Sequence, residues 1–389
     1  MCPTRIAQLI PALMLTSACA APVVARAPAV ATSQACKATD AELLAAIRSV
    51  HDKQKNVGVQ AAIHLNGRTV FSKGYGLADR DSKVPVARDT VFPVASITKA
   101  FTGVATLKAH AAGNIDLDKP IQGYVPEFPV KPELAVTPRR LAAHFAGIRH
   151  WGSEREALFL RHFERLDQIL PLFKDDPLRA QAGAEYQYSS YGYNLLGLAV
   201  ERVTGVPFTD YVRRQILRPL GLSHTRFDDA RRPAATTKLY SFYDPKTFAD
   251  LPEAIPVPSM DYSHNMAGGN MSTTAEDLVK FGAALFRPGF LPRVQHEMLF
   301  YQPTFGGEAS PMTFGFFTQE AGAERRLSIS GSNPGFQAGL MIYPDRRLAV
   351  AVLSNTWGVG SRSGDMVNAL PKQLADLCAP VAPPAARAG

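Results

Sequence analysis

The feature that most constrains this chain is a serine and a lysine three residues apart at the start of an apolar helix. Ser96 and Lys99 follow the apolar segment 91–95 and precede a run of helix-forming residues. Positions i and i+3 share one face of a helix, so the lysine amine can reach the serine hydroxyl. A lysine made neutral by burial can take the proton of a serine nucleophile. The free N–H groups at a helix start also suit a developing oxyanion. The same four residues equally fit a Ser/Thr-rich helix start with a solvated lysine, so the rest of the chain must decide.

A second junction between loop and helix carries a tyrosine and two serines. Tyr188, Ser189 and Ser190 end a polar loop, and an apolar helix begins near Leu195. A phenol at such a junction can project into a cleft, where it accepts or donates a proton. Four tyrosines within residues 186–193 also predict that some of these rings pack in the core.

The C-terminal part contains two hairpins. Residues 328–343 read as a strand, a short Gly/Pro turn and a second strand, and a turn at residues 344–347 leads into an apolar strand at 348–353. Before them, residues 267–278 combine a Gly-Gly pair with a Ser/Thr run followed by Glu276 and Asp277, which predicts the capped start of a helix.

These segments, in this order, resemble the serine β-lactamase and penicillin-binding-protein superfamily. The closest similarity is to its class C β-lactamase-like branch, which includes D-aminopeptidases, β-lactamase-like esterases and a mitochondrial β-lactamase-like protease. Five motifs carry the resemblance between about residues 40 and 375: Ser96-x-x-Lys99, the block 136–151 around His144, Tyr188-x-Ser190, the block 268–278, and the hairpin Asn333-Pro334-Gly335-Phe336.

The resemblance implies an α/β (α+β) fold in which an antiparallel sheet flanked by helices encloses an all-helical insertion. We expect one hydrolase domain at residues 40–378, with its α/β part at about 40–95 and 305–378 and its helical part at about 96–304. The residue pattern predicts a first helix at 40–53 and a hairpin of strands 57–65 and 68–75 around Asn66-Gly67. Three strands between 312 and 353 and a closing helix at 365–377 complete the expected fold.

The resemblance also assigns roles to particular residues. Ser96 is the expected nucleophile of an acyl-enzyme, with Lys99 and Tyr188 moving its proton. The amide N–H groups of Ser96 and Ser332 are expected to hold the oxyanion. Ser330 and Ser190 are expected to contact the substrate, a small molecule or peptide, and no cofactor is expected.

Two positions depart from the family pattern. The third motif usually carries a lysine or histidine that helps hold a substrate carboxylate, and this chain has Ile329 there. The asparagine of the second motif is replaced by Ser190. We therefore expect a neutral ester or a peptide or amide substrate. A weak β-lactamase or D,D-peptidase is one alternative, and a non-catalytic, envelope-binding protein with a degraded site is another.

The histidine spacing, the nucleotide-binding motifs and the net charge bear on whether the chain binds metals, nucleotides or nucleic acids. The nine histidines follow no metal-ligand spacing and no nucleotide-binding motif occurs, so we predict neither a metal nor a nucleotide site. His144 fits a buried structural role, and His264 is a candidate for lining the cleft. The net charge of +8 permits adsorption to an anionic cell envelope, but without basic runs it does not predict nucleic-acid binding.

The N-terminus predicts export. A basic start, an apolar run at 6–15 and the small residues around Cys19 fit a signal peptide at 1–20, followed by an Ala/Pro/Val-rich linker at 21–39. Cleavage after Ala20 would release a periplasmic or secreted protein, whereas lipid attachment at Cys19 would anchor it. The Pro-containing segment 379–389 is expected to be a disordered tail.

Removal of the signal peptide would leave two cysteines, Cys36 and Cys378, near the ends of the mature chain. In the fold that the resemblance implies, the first and last helices pack side by side, so these cysteines can form a disulfide in an oxidising compartment. Two isolated thiols are the alternative.

Overall fold

The centre of the fold is an antiparallel sheet built from both ends of the chain. The computed structural model describes residues 35–151, 161–179, 182–229, 235–244, 247, 249–258, 260–321, 324–358 and 365–380. Its strands are β1 (Gly58–Leu65), β2 (Arg68–Asp79), β3 (Val84–Pro85), β4 (Phe92–Pro93), β5 (Arg226–Phe227), β6 (Leu239–Tyr243), β7 (Asp250–Val257), β8 (Met271–Thr273), β9 (Thr304–Phe305), β10 (Glu308–Ala309), β11 (Met312–Thr313), β12 (Phe316–Ala321), β13 (Glu324–Asn333), β14 (Phe336–Tyr343), β15 (Leu348–Ser354) and β16 (Thr356–Trp357). Eight of them form the main sheet in the order β11-β12-β13-β14-β15-β1-β2-β3.

The first hairpin forms where its turn residues predict it. Asn66 and Gly67 both have positive φ angles, 50° and 89°, which is the backbone that a two-residue hairpin turn needs. Strands β1 and β2 then pair antiparallel, and β15 pairs with the other edge of β1. Strands from the N-terminal and the C-terminal part of the domain are therefore neighbours in the middle of the sheet.

Helices cover both faces of this sheet. The α-helices are α1 (Asp40–Gln54), α2 (Thr98–Ala111), α3 (Pro138–Ala142), α4 (Ser190–Thr204), α5 (Phe208–Val212), α6 (Arg218–Leu220), α7 (Met266–Gly269), α8 (Ala275–Ala284), α9 (Arg293–Met298) and α10 (Leu370–Cys378). Apolar residues of α1 and α10 pack on one face, and those of α2 and α8 join the core on the other. Because both faces are covered, β1, β14 and β15 are buried along their whole length.

The helix boundaries follow local side-chain chemistry. The Thr39 hydroxyl and the Glu42 carboxylate form a capping box at the start of α1. Ser189 caps α4 by accepting from the Gly192 N–H, and Thr274 caps α8 by accepting from the Asp277 N–H. The predicted capped helix start in the block 267–278 is therefore confirmed, whereas α4 begins at Ser190, five residues before the predicted start near Leu195.

Two expectations about the layout need correction. The middle of the chain is not all-helical, because it contains β5, β6, β7 and β8, which form two small sheets with β4 and β16. These strands are short and pair with distant residues, such as Phe92 with Thr273, so no local pattern marks them. The C-terminal part holds five strands from β11 to β15 where three were expected.

The segment before α1 is attached to the domain and is not a free linker up to residue 39. Cys36 and Cys378 are joined by a disulfide, and the Lys37 N–H donates to the Cys378 carbonyl at 2.8 Å. The predicted signal peptide at 1–20, the linker residues before 35 and the tail after 380 lie outside the described residues. Within the described ranges, no helix combines the length and the apolar character that a bilayer crossing requires.

Candidate active site

Ser96 lies in a tight turn that is pressed against the sheet. The turn is a 3-10 helix at Ala95–Ile97, and Ala95 before the serine has a φ of 42°, an uncommon conformation for a residue with a side chain. Strand β13 passes beside it at Gly331. A Cβ atom on Gly331 would lie 2.1 Å from the Val94 carbonyl oxygen and 2.8 Å from the Ser96 nitrogen, so a larger residue would separate strand and turn. Because Gly331 has no side chain, β13 can lie directly beside the Ser96 amide.

Lys99 reaches back from the first turn of α2 into the interior. Its side chain is fully buried. The Nζ atom hydrogen-bonds Ser96 Oγ at 3.3 Å, Ser190 Oγ at 3.0 Å and the Gly268 carbonyl oxygen at 2.6 Å. Burial holds the pKa of Lys99 well below its ordinary value. In the described part of the chain no carboxylate pairs with this amine, so it is neutral far more readily than a surface lysine.

Tyr188 is the second side chain that contacts the Ser96 hydroxyl. Its Oη donates to Ser96 Oγ at 2.7 Å. Burial raises the pKa of Tyr188 to about 12, so the phenol is protonated at neutral pH. Lys99 Nζ lies 4.8 Å from the centre of the Tyr188 ring, a distance at which a charged ammonium is stabilised by the ring face. The Lys99 amine and the Tyr188 phenol thus both contact the same serine oxygen.

His144 packs against Tyr188 and contacts the residue that follows it. Its ring lies 4.5 Å from the Tyr188 ring, and its Nδ1 accepts the Ser189 N–H at 3.0 Å. Burial and the nearby Lys99 hold the pKa of His144 well below its ordinary value, so the ring is neutral. The expected structural role of His144 fits this position, whereas His264 is buried and packs edge-on against Trp151 at 5.5 Å without lining the cavity.

A cavity of about 230 Å³ opens in front of Ser96. It brings together five of the six predicted site residues: Ser96, Tyr188, Ser190, Ser330 and Ser332 line it, and Lys99 lies beneath. It is also lined by residues for which the sequence predicted no role in the site: His150, Trp151, Asn265 and Asn333. Of these, Asn265 stands in no motif, and only its place three residues before Gly268-Gly269 could have drawn attention to it. A larger cavity of about 810 Å³ lies elsewhere, and Ser96, Lys99 and Tyr188 do not line it.

Ile329, at the position of the usual cation, does not face this cavity. It is buried in the main hydrophobic core and pairs with Leu340 of β14, while Ser330 and Ser332 line the cavity. No lysine or arginine is among the described residues that line the cavity. The described part of the chain also holds no cluster of three or more His, Cys, Asp or Glu side chains suited to a metal ion.

Comparisons with known proteins place this geometry in a family. The Beta-lactamase family model matches residues 43–370. The mitochondrial serine beta-lactamase-like protein LACTB of Homo sapiens is 29% identical over 306 residues, 61% of this chain and 55% of that protein. This chain therefore spans about half the length of the mitochondrial relatives it matches.

Two solved structures share the fold. The octameric penicillin-binding protein homologue from Pyrococcus abyssi has a TM-score of 0.72 at 23% identity, over 87% of this chain and 77% of that one. The D-amino acid amidase from Ochrobactrum anthropi SV3, complexed with L-phenylalanine amide, has a TM-score of 0.70 at 23% identity, over 86% of this chain and 97% of that one. Together with the family match over residues 43–370, the antiparallel sheet and its flanking helices show that this chain belongs to the β-lactamase family of serine hydrolases.

Proposed function

We propose that this protein hydrolyses a neutral ester, amide or peptide through an acyl-enzyme formed on Ser96. The observation that carries the proposal is the convergence of a buried amine and a phenol on one hydroxyl: Lys99 Nζ at 3.3 Å and Tyr188 Oη at 2.7 Å from Ser96 Oγ. A serine needs a neighbouring base to become a nucleophile, and a serine–lysine pair is one recognised form of that arrangement.

The hydrogen bonds of Lys99 favour a role as base. The Gly268 carbonyl can only accept, so it takes one N–H of the amine. A neutral amine then has one N–H and one lone pair left for the hydroxyls of Ser190 and Ser96. With the N–H given to Ser190, the lone pair faces Ser96 Oγ and takes its proton as that oxygen attacks the carbonyl carbon.

Tyr188 is suited to the second proton transfer. Because its pKa is raised to about 12, it enters the reaction protonated and donates to the leaving group when the carbonyl–heteroatom bond breaks. The resulting phenolate is stabilised by the Lys99 ammonium beside its ring. In deacylation, water gives its proton to that phenolate while its oxygen attacks the ester, and Lys99 returns a proton to Ser96.

The tetrahedral oxyanion would lie between the Ser96 N–H and the Ser332 N–H of β13. Gly331 supports this assignment, since it is the residue that lets β13 approach the Ser96 amide. One oxyanion-hole donor contributes about 2.7–4 kcal/mol to transition-state stabilisation.

The cavity favours an uncharged substrate. Hydroxyl and carboxamide side chains from Ser190, Ser330, Ser332, Asn265 and Asn333 line it, and the position that usually supplies a cation holds the buried Ile329. A β-lactam or D,D-peptide substrate carries a carboxylate that such a cation would pair with. A weak β-lactamase or D,D-peptidase activity is the second candidate, supported by membership of the family.

We also propose that the protein acts outside the cytoplasm, released after Ala20 or anchored at Cys19. The disulfide between Cys36 and Cys378 supports this location, because cytosolic proteins rarely keep structural disulfides. Contact with an anionic envelope is compatible with the net charge of +8. Cell fractionation combined with the intact mass of the mature protein tests the proposal, and a full-length cytosolic product would refute it.

Turnover of paired substrates tests the enzymatic proposal. The purified protein should hydrolyse p-nitrophenyl acetate, a neutral ester, and Ser96→Ala should reduce the rate by at least about 10³-fold. Nitrocefin, which carries a carboxylate, should be hydrolysed much more slowly relative to the ester. Faster turnover of nitrocefin would favour the β-lactamase alternative, and equal rates for wild type and Ser96→Ala would favour a binding protein.

A further inference from the structure

The start of α4 is buried beside the active site, so its backbone N–H groups need acceptors within the protein. Ser189 and Ser190 expose only 3% and 1% of their surfaces. Buried N–H groups are costly to leave without a hydrogen bond. The Ser189 hydroxyl accepts the N–H of Gly192. The N–H groups of Ser189 and Ser190 themselves must be accepted by other side chains.

Two histidines supply these acceptors. His144 Nδ1 accepts the Ser189 N–H at 3.0 Å, and His150 Nδ1 accepts the Ser190 N–H at 3.2 Å. A backbone N–H can only donate, so both Nδ1 atoms are unprotonated. Each ring therefore carries its proton on Nε2 and is uncharged. Burial and the nearby Lys99 also hold the pKa of His144 well below its ordinary value, which agrees with a neutral ring.

His150 is connected to the candidate base through a single residue. It is among the residues that line the cavity, and its ring lies edge-on at 5.4 Å from the ring of Tyr188. Ser190 donates its N–H to His150, and its hydroxyl accepts from Lys99 Nζ at 3.0 Å. Lys99 Nζ in turn contacts Ser96 Oγ at 3.3 Å. His150 therefore holds the residue that orients the amine.

The charge of the acceptor matters at this position. Carboxylates often accept N–H groups at helix starts, where the helix dipole favours negative charge. A carboxylate bound to the Ser190 N–H would also stabilise the ammonium form of Lys99. In the described part of the chain, burial keeps the titratable side chains beside this amine uncharged: Tyr188, Tyr193 and His144. An imidazole satisfies the N–H without adding a charge.

We propose that His150 is a positioning residue that holds Ser190, and through it the amine of Lys99, by means of an acceptor that must be uncharged. This inference rests on the proposed acyl-enzyme at Ser96, because it concerns the activation of that serine. It sets two separate requirements for the side chain at position 150. The side chain must accept the Ser190 N–H, and it must do so without a negative charge.

Three substitutions of His150 separate these requirements. His150→Asn keeps a neutral acceptor, because the asparagine oxygen can take the place of Nδ1. His150→Asp puts a carboxylate oxygen at the same place on a side chain of the same shape. His150→Phe keeps an aromatic ring and removes the acceptor. Two variants of the exposed His224, His224→Asn and His224→Asp, are matched controls for the change in net charge.

The measurement is the rate at which a fluorophosphonate probe labels Ser96, between about pH 6 and 10. His150→Asn should stay within about threefold of wild type, and His150→Phe should be at least about tenfold slower because Ser190 loses its support. The midpoint of the His150→Asp profile should lie at least about one pH unit above that of His150→Asn, because the amine keeps its proton to higher pH. Both His224 variants should follow the wild-type profile.

A purely structural role for His150 would lower the rate by the same factor at every pH. Coincident profiles for His150→Asn and His150→Asp would therefore overturn the inference, as would a wild-type rate in His150→Phe. If His150→Asp does not fold, His150→Gln and His150→Glu are compared in the same way. Labelled wild type with either of these results refutes the role of His150 alone, whereas unlabelled wild type refutes the proposed acyl-enzyme as well.

Discussion

Lys99 Nζ lies 2.6 Å from the carbonyl oxygen of Gly268. Among the described residues, no carboxylate pairs with this amine. The amine is therefore positioned by neutral groups and is not held in its charged form. Two hydroxyls complete its surroundings, Ser190 at 3.0 Å and Ser96 at 3.3 Å. This environment distinguishes a lysine that can accept a proton from one that only contributes positive charge.

Replacing Lys99 with methionine should strongly slow acylation of Ser96 and leave the fold intact. Methionine has a similar length and is readily buried, so Lys99→Met removes the base without opening a large cavity. We expect the rate of Ser96 labelling to fall by about 10²–10⁴-fold. Lys108→Met on the same helix is the control, since Lys108 donates to the Phe290 carbonyl, far along α2 from Ser96. Similar losses in both variants would contradict a specific role for Lys99.

The depressed pKa of Lys99 also predicts how stability depends on pH. Below its ordinary pKa of 10.5, the unfolded chain binds a proton at Lys99 that the folded chain does not. Wild type should therefore lose stability relative to Lys99→Met as the pH falls from about 10.5, until the folded protein also binds the proton. Thermal unfolding of both proteins between pH 7 and 10 measures this, and a constant difference in Tm would show that the folded pKa of Lys99 is not lowered.

Removing only the hydroxyl of Tyr188 should slow turnover without loosening the site. Tyr188→Phe keeps the ring that packs on His144 but removes the proton that Oη donates at 2.7 Å to Ser96 Oγ. We expect kcat/KM for an alkylamide substrate, whose amine must be protonated to leave, to fall by about 10²-fold, and that for p-nitrophenyl acetate to fall much less. Tyr186→Phe is the matched control, because Tyr186 Oη contacts Met312 Sδ away from Ser96. Retention of full activity in Tyr188→Phe would remove the tyrosine from the mechanism.

A methyl group on Gly331 should separate the two halves of the proposed oxyanion site. In Gly331→Ala the new Cβ would overlap the Val94 carbonyl and crowd the Ser96 nitrogen, so β13 must move away. We expect about a 10²-fold loss in kcat with Tm lowered by several degrees. Gly192→Ala in α4 provides the comparison, because its Cβ meets ordinary contacts of 3.4 Å or more. If Gly331→Ala were as active as Gly192→Ala, the close approach would have no catalytic importance.

The disulfide should contribute to stability and not to catalysis. The disulfide between Cys36 and Cys378 joins the segment before α1 to the end of α10, and closing so long a loop restricts the unfolded chain. We expect the double variant Cys36→Ser/Cys378→Ser to lose about 2–4 kcal/mol of unfolding free energy with kcat/KM unchanged. Urea denaturation and ester turnover measure the two quantities, and wild type treated with a reducing agent should match the variant.

Much of the fold could be predicted because it depends on local signals. Asn66-Gly67 favours one turn geometry, and Thr39 with Glu42 marks the start of α1 through neighbouring atoms alone. The short strands of the middle region could not be predicted in this way. They form by pairing residues far apart in sequence, such as Arg226 with Ser272, whose side chains carry no strand pattern.

The candidate site likewise contains some residues that local sequence signals predict and others that depend on contacts between distant segments. Ser96 and Lys99 were predictable because their spacing places them on one helical face, and Tyr188 because it precedes a capped helix. The place of Asn265 in the cavity wall was not, since it arises only when α4 and the glycine pair hold this segment there. The burial of Ile329 likewise follows from the register of β13 against β14.

The most direct test of a nucleophilic Ser96 is covalent labelling of the protein, from Ala21 onward, with a fluorophosphonate probe read by intact mass. The wild type should gain the mass of one adduct, and Ser96→Ala should gain none. No adduct in the wild type, or an equal adduct in Ser96→Ala, would contradict the acyl-enzyme mechanism.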